Sequence, residues 1–209
     1  AYIDINGGQP SFSAEQKKNV ASFVYVAPQD QYERSRTASA CIGEDILPPA
    51  NSRQNIDMIK PSGWNQHKYP DLVNSNPPYV YNRCHLIALQ LVGNDAKENL
   101  ITGTRYLNEI GMKPFEDEVA RYIRNTGNHV LYRATPVYDG DNKVASGVQL
   151  EGYSIEDQGK GVCFNVYCYN VQPGIAINYA TGANEQADMI YEAKDVLPFA
   201  VSNAGDNNP

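Results

Sequence analysis

The chain has three histidines, so a side chain able to exchange a proton near neutral pH can be sought by elimination. His129 opens a strand-like run after Gly127-Asn128 and is expected to be structural. His67 sits in the polar loop Trp64-Asn65-Gln66-His67-Lys68 and is expected at the surface. His85 differs. It follows Tyr81-Asn82-Arg83-Cys84 and precedes the apolar run Leu86-Ile87-Ala88-Leu89, which sets an imidazole beside a guanidinium at the edge of a buried segment. Even beside an arginine, such a histidine would by itself read as a satisfied core residue, and only the longer motifs around it shift that reading. The residue types suit an anion's chemistry: imidazole can take a proton near neutral pH, and a guanidinium can grip an anion through paired N–H groups. A Cys84–His85 nucleophile pair is disfavoured, because neighbours on a strand point to opposite faces.

These residues need elements to position them. Tyr2 to Ile5 reads as a short strand ended by Asn6-Gly7-Gly8, and Ser13-Ala14-Glu15-Gln16 carries the signature of a capped helix start. Phe23-Val24-Tyr25-Val26 and the run from Thr37 to Ile42 are strand candidates. From Gly43 to Tyr79 the chain is rich in Pro, Asn and Gly with little periodicity, a length of irregular chain that usually serves function. The strongest helix is 114–125: Pro114 suits its first position, Phe115, Val119, Tyr122 and Ile123 share one face, and Asn125-Thr126-Gly127 stops it. Val130 to Tyr138, Val144 to Ile155 and Val162 to Val171, separated by Gly turns, predict an antiparallel meander. The expected class is α+β: a central antiparallel β-sheet flanked by helices, in one domain over 1–209 with a flexible polar tail at 202–209.

Composition narrows the partners. The net charge of −7 is uneven, with −2 over residues 1–52, +2 over 53–133 and −7 over 134–209. The average surface repels a polyanion, so only the middle of the chain could receive one. No apolar run is long enough to span a membrane, and the first residues lack the basic start and apolar stretch of a signal peptide. Cys41, Cys84, Cys163 and Cys168 lack the spacing of paired zinc knuckles. Cys163 and Cys168 fall on opposite faces of one strand and cannot bond to each other. Each would have to find Cys41 or Cys84, or remain a buried thiol.

Two longer motifs carry a resemblance. Asn82-Arg83-Cys84-His85-Leu86-Ile87 and the run Glu98-Asn99-Leu100-Ile101-Thr102-Gly103-Thr104-Arg105-Tyr106-Leu107-Asn108 resemble the DNA/RNA non-specific endonucleases with a ββα-metal site. The likeness is greatest to the secreted DNases of Gram-positive bacteria, and it extends to Lys60-Pro61-Ser62-Gly63-Trp64 and Phe164-Asn165-Val166-Tyr167. The chain departs from the better-known Asp-Arg-Gly-His form of the motif at Asn82 and Cys84.

The resemblance implies roles residue by residue. His85 would be the general base and Asn108 the ligand of a Mg²⁺ ion, with Mn²⁺ or Ca²⁺ as substitutes. Asn99 would support the site and Glu116 would orient water on the ion; these side chains are spaced by nine and eight positions, as the family's are. On the helical wheel Glu116 falls at the edge of the Phe115/Val119/Ile123 face, so a half-buried pose is expected. Arg83 comes from the motif, and Arg53 stands 32 positions before His85, near where the family keeps a second arginine. Arg105 and Arg34 are further candidates for substrate contact. The implied activity is Mg²⁺-dependent hydrolysis of DNA and RNA to 5′-phosphate ends, by a protein secreted or held at the cell surface, with no membrane segment and no protein partner. The rivals are a catalytically silent nucleic-acid-binding module and a nuclease toxin domain with an immunity partner.

Overall fold

Runs in which apolar side chains recur at every second position become strands. The computed structural model describes residues 1–49, 55–92 and 95–187, and the expected tail at 202–209 lies outside them. Among the described residues the strands are β1 (Tyr2–Asp4), β2 (Phe23–Val26), β3 (Ala38–Ile42), β4 (Tyr81–His85), β5 (Leu100–Thr104), β6 (Val130–Val137), β7 (Gly147–Ser154), β8 (Cys163–Tyr169), β9 (Ile175–Ile177) and β10 (Asn184–Gln186). Six of them form the central sheet in the order β1-β8-β7-β6-β3-β2, every neighbour antiparallel. The expected meander is β6-β7-β8.

Alternation decides what each face does. Phe164, Val166 and Cys168 of β8 join Tyr132 and Ala134 of β6 and Val148 and Leu150 of β7 on the inner face. On the outer face, Tyr167 and Tyr169 pack with Ile5, while Cys41 and Leu131 pack with Phe12. Cys163 is exposed and Cys168 buried, in keeping with their odd separation, and all four cysteines are free thiols.

The inner face is covered by α2 (Lys113–Thr126) through Val119, Ala120 and Ile123, which are buried. Burying side chains such as Val119 and Ile123 contributes about 1.5–3 kcal/mol each. Gly127 ends the helix in the left-handed conformation (φ 73°), donating its N–H to the Ile123 carbonyl. The expected helix of 114–125 is therefore present, but it starts earlier. Arg105 and Tyr106 are already helical, and Leu107–Met112 forms a π-helical segment that runs into α2.

A hairpin lies beside that helix. β4 pairs with β5 so that His85 faces Leu100, Cys84 faces Ile101 and Arg83 faces Thr102. Gly103 is required here, because a Cβ at that position would sit 2.5 Å from the Cys84 Cβ. The loop between the strands contains the short helix α1 (Leu89–Val92) and a 3₁₀ turn at Lys97–Asn99. Near the N-terminus, Ser13 and Gln16 exchange hydrogen bonds as the capping signature predicts, yet only a 3₁₀ turn, Gln16–Lys18, follows. The irregular stretch from Gly43 to Tyr79 is interrupted by a 3₁₀ turn at Glu44–Ile46 and a bridge between Lys68 and Tyr79.

Candidate active site

The end of β4 and the start of the long helix border a cleft of about 740 Å³. Strand alternation sends Cys84 into the core, fully buried, while His85 and Arg83 line the cleft. Asn108 and Glu116 reach the same cleft from the helix. Residues eight apart on a regular α-helix differ by roughly 80° in direction. The π segment takes up an extra residue in its turn, and both side chains come to the cleft wall.

His85 is held by a residue that the sequence did not single out. Its Nε2 lies 2.8 Å from Asp95 Oδ1, with the two side chains 18% and 9% exposed. A ring that donates Nε2–H to a carboxylate carries its lone pair on Nδ1, and a proton taken there leaves an imidazolium facing a negative charge. Behind the histidine, Asn99 is buried and clamps Ile87 at both ends: its Nδ2 donates to the Ile87 carbonyl and its Oδ1 accepts from the Ile87 N–H, each at 2.9 Å. Asn99 thereby fixes the chain two residues after His85.

On the helix side, Asn108 Oδ1 accepts a hydrogen bond from the Cys84 thiol at 3.4 Å, and its Nδ2 donates to Glu109 Oε1 at 3.2 Å. Burial, with help from Glu116, raises the Cys84 thiol well above its ordinary range, so it serves as a donor and not as a nucleophile. Glu116 is deeper than expected: it is buried, not half-buried. Burial pushes its carboxyl up to about 8; Asp117 and Glu109 add to the rise, and Lys113 opposes it.

The arginines separate. Arg83 lies in the cleft with its ring of N–H donors partly used: Nε donates to the Ile59 carbonyl at 2.5 Å, Nη2 to the Asp57 carbonyl at 2.7 Å, and the guanidinium lies over Trp64. Arg105 lines the same cleft 3.6 Å from Glu109. Arg34 does not join them. It is paired with Asp30, stacked on Tyr32 and Tyr138, and donates to the carbonyls of Gly140 and Asn142, so it ties a turn in place away from the cleft. Arg53 lies outside the described residues. His129 is bound to Glu156 and His67 to Asn184, both away from the cleft, as expected of structural and surface histidines.

Sequence reasoning also passed over Glu109 and Lys113, which line the cleft. With them the cleft holds three cationic side chains (Arg83, Arg105, Lys113) and four carboxyl groups (Asp57, Asp95, Glu109, Glu116), of which Glu116 is held mostly neutral near pH 7. Balanced charge of this kind gives an anion little net attraction until a cation joins it. The donors present fit a hard divalent ion: a carboxamide oxygen from Asn108, with the Glu109 and Glu116 carboxyls on the same wall. A carboxyl pushed up by burial, with Asp117 and Glu109 near it, would be favoured in its charged form by the same ion. One carboxamide oxygen with nearby carboxyls suits an ion that keeps most of its waters. Among the described residues no group of three or more His, Cys, Asp or Glu side chains is placed to hold a metal.

A β-hairpin feeding a helix, with an imidazole on one arm and a carboxamide on the other across a single cleft, is the layout of the ββα-metal nucleases. The family model for DNA/RNA non-specific endonucleases matches residues 15–156, and the chain belongs to that family. It is similar to NucA from Streptococcus agalactiae solved without metal (27% identity, 88% of this chain and 86% of that one, TM-score 0.73). NucA solved with a magnesium ion gives 25% identity over 90% of each chain and a TM-score of 0.74. The Sda1 nuclease with a bound zinc ion shares the fold at 22% identity, over 89% of this chain and 96% of that one, with a TM-score of 0.74. An extracellular endonuclease also shares it, at 17% identity over 88% and 96% with a TM-score of 0.60. No curated protein matches the chain. The protein is thus an endonuclease, an enzyme that hydrolyses nucleic acid.

Proposed function

We propose that the chain is one catalytic domain that cleaves DNA and RNA without regard to sugar or sequence, depends on a divalent cation, and leaves 5′-phosphate ends. The observation that carries this reading is the meeting of His85, Asn108, Glu116, Arg83 and Arg105 in one cleft, with Asp95 against the imidazole.

Water beside the phosphodiester gives a proton to His85 Nδ1, and its oxygen attacks phosphorus in line. Asp95 favours the imidazolium that results and keeps the ring from rotating. Arg83 and Arg105 offer N–H donors to the non-bridging oxygens, where charge builds. The P–O3′ bond breaks and the departing O3′ takes a proton from a solvent water, leaving a 3′-hydroxyl on one fragment and a 5′-phosphate on the other, while His85 later returns its proton to solvent. Asn108 would hold Mg²⁺, or Mn²⁺ or Ca²⁺ in its place, and Glu116 would accept hydrogen bonds from the ion's waters. When bound, the ion neutralises charge on the phosphate and its leaving oxygen. Phosphate contacts carry no sequence information, which suits cleavage at any base. The magnesium in NucA supports the choice of ion, and the extracellular endonuclease of the same fold supports secretion or a cell-surface site.

Plasmid DNA with Mg²⁺ tests the reading. Supercoiled plasmid should be nicked and then degraded by the parent protein, with ends that a polynucleotide kinase labels only after phosphatase treatment. EDTA or Asn108→Ala should stop the reaction. Cleavage that persists in EDTA at the parent rate would overturn the proposed dependence.

A further inference from the structure

A second pocket, of about 520 Å³, is lined by the segment from Met58 to Gly63, and its walls carry Lys60, Lys97 and Lys143 against the single carboxylate of Glu33. In a chain of net charge −7 this is a local excess of positive charge. All three lysines are exposed, and among the described residues none forms an ion pair.

The pocket is built, because each lysine rides on a segment tied down separately. The segment with Lys60 is fastened by Arg83 to the Asp57 and Ile59 carbonyls and by Thr102 Oγ1 to the Ser62 carbonyl at 2.8 Å. Lys97 begins a 3₁₀ turn whose carbonyl accepts from Ser35 Oγ at 3.1 Å. Lys143 follows the turn that Arg34 holds through the Gly140 and Asn142 carbonyls, each at 2.9 Å. Gly63 meets that turn so closely that a Cβ there would lie 3.2 Å from the Lys143 Cβ. At the rim, Tyr32 is 49% and Met58 92% exposed. Ammonium groups in a shaped recess with an aromatic and a thioether at its edge suit a strand whose phosphates are bound and whose bases stack. Ile59 belongs to this pocket and also accepts the hydrogen bond from Arg83 of the cleft, so one wall serves both.

We propose that this pocket is a second nucleic-acid site, which takes the backbone of a single strand flanking the bond to be cut; it rests on the reading of the cleft as a nuclease site.

The test is binding without catalysis. His85→Ala protein in EDTA is titrated with a fluorescent single-stranded oligodeoxynucleotide, followed by anisotropy over a range of salt. Adding Lys60→Gln, Lys97→Gln and Lys143→Gln together is expected to weaken binding roughly 10-fold or more and to lessen the slope of log K against log salt by about 2. The triple arginine variant keeps the charge and should bind as the parent does. Equal affinity and slope in the glutamine triple would overturn the proposal, as would a loss that the arginine triple reproduces. Because no cleavage is read, a chain that failed to cut DNA would sink the nuclease reading while this measurement still judged the pocket.

Discussion

Asp95→Asn separates the charge of the His85 partner from its shape. Asparagine is isosteric and its carbonyl oxygen can still accept from Nε2–H, so the ring keeps its tautomer while the carboxylate is lost. The pair is 2.8 Å apart and largely shielded, at 18% and 9% exposed, so solvent screens it only in part. Unit charges about 4 Å apart interact by about 4 kcal/mol at an effective dielectric of about 20, which sets the scale of the effect. Hydrogen bonds to charged groups contribute about 1.5–3 kcal/mol net. That difference is felt only when His85 is positive, as in the transition state, so kcat should fall by roughly 10- to 150-fold with little change in KM. Initial rates on a fluorogenic oligonucleotide with Mg²⁺ supply both constants. A kcat within twofold of the parent, or a loss carried by KM alone, would refute the assignment of Asp95 to the proton acceptor.

Other outcomes follow from the same geometry. Burial raises Glu116 from 4.5 to about 8, so folding costs nothing extra where both states are protonated, below the unfolded value, and is penalised increasingly as pH rises toward 8. In metal-free protein Glu116→Gln should therefore add stability on the order of 4 kcal/mol near pH 8 and almost none near pH 4, by denaturant titration; equal gains at both would contradict it. Asn99→Ala strands the buried N–H and carbonyl of Ile87 and should cost about 2–4 kcal/mol of stability, and a loss under about 1 kcal/mol would show the clamp to be idle. Iodoacetamide on native protein should alkylate exposed Cys163 alone, since Cys41 is pushed up to about 11 by burial and Cys84 and Cys168 are raised further; a second native adduct seen by mass spectrometry would be contrary.

The chemistry of the site was more legible than its support. His85 stood out because only three histidines exist, and its neighbours placed it on a strand edge. The meander and α2 followed from periodicity, which reports a face directly. Depth is another matter: Glu116 lay at the edge of an apolar face, and only the sheet packed over α2 decides that it is buried. Asp95 was missed because Gly93-Asn94-Asp95 reads as an ordinary turn, and nothing local says that the loop between two paired strands returns to His85. The π segment leaves no periodic trace, with Gly111 inside it. Arg34 shows the converse. Its partners Gly140 and Asn142 stand 106 and 108 positions away, so an arginine that looked available for substrate is spent on a turn.

The central claim is that His85 removes the proton from the attacking water. Purified His85→Ala, with unchanged circular dichroism and thermal midpoint, should cleave DNA with Mg²⁺ some 10²- to 10⁴-fold more slowly than the parent, the range that a positioned general base supplies. A His85→Ala protein that cuts within a few-fold of the parent rate would contradict the account.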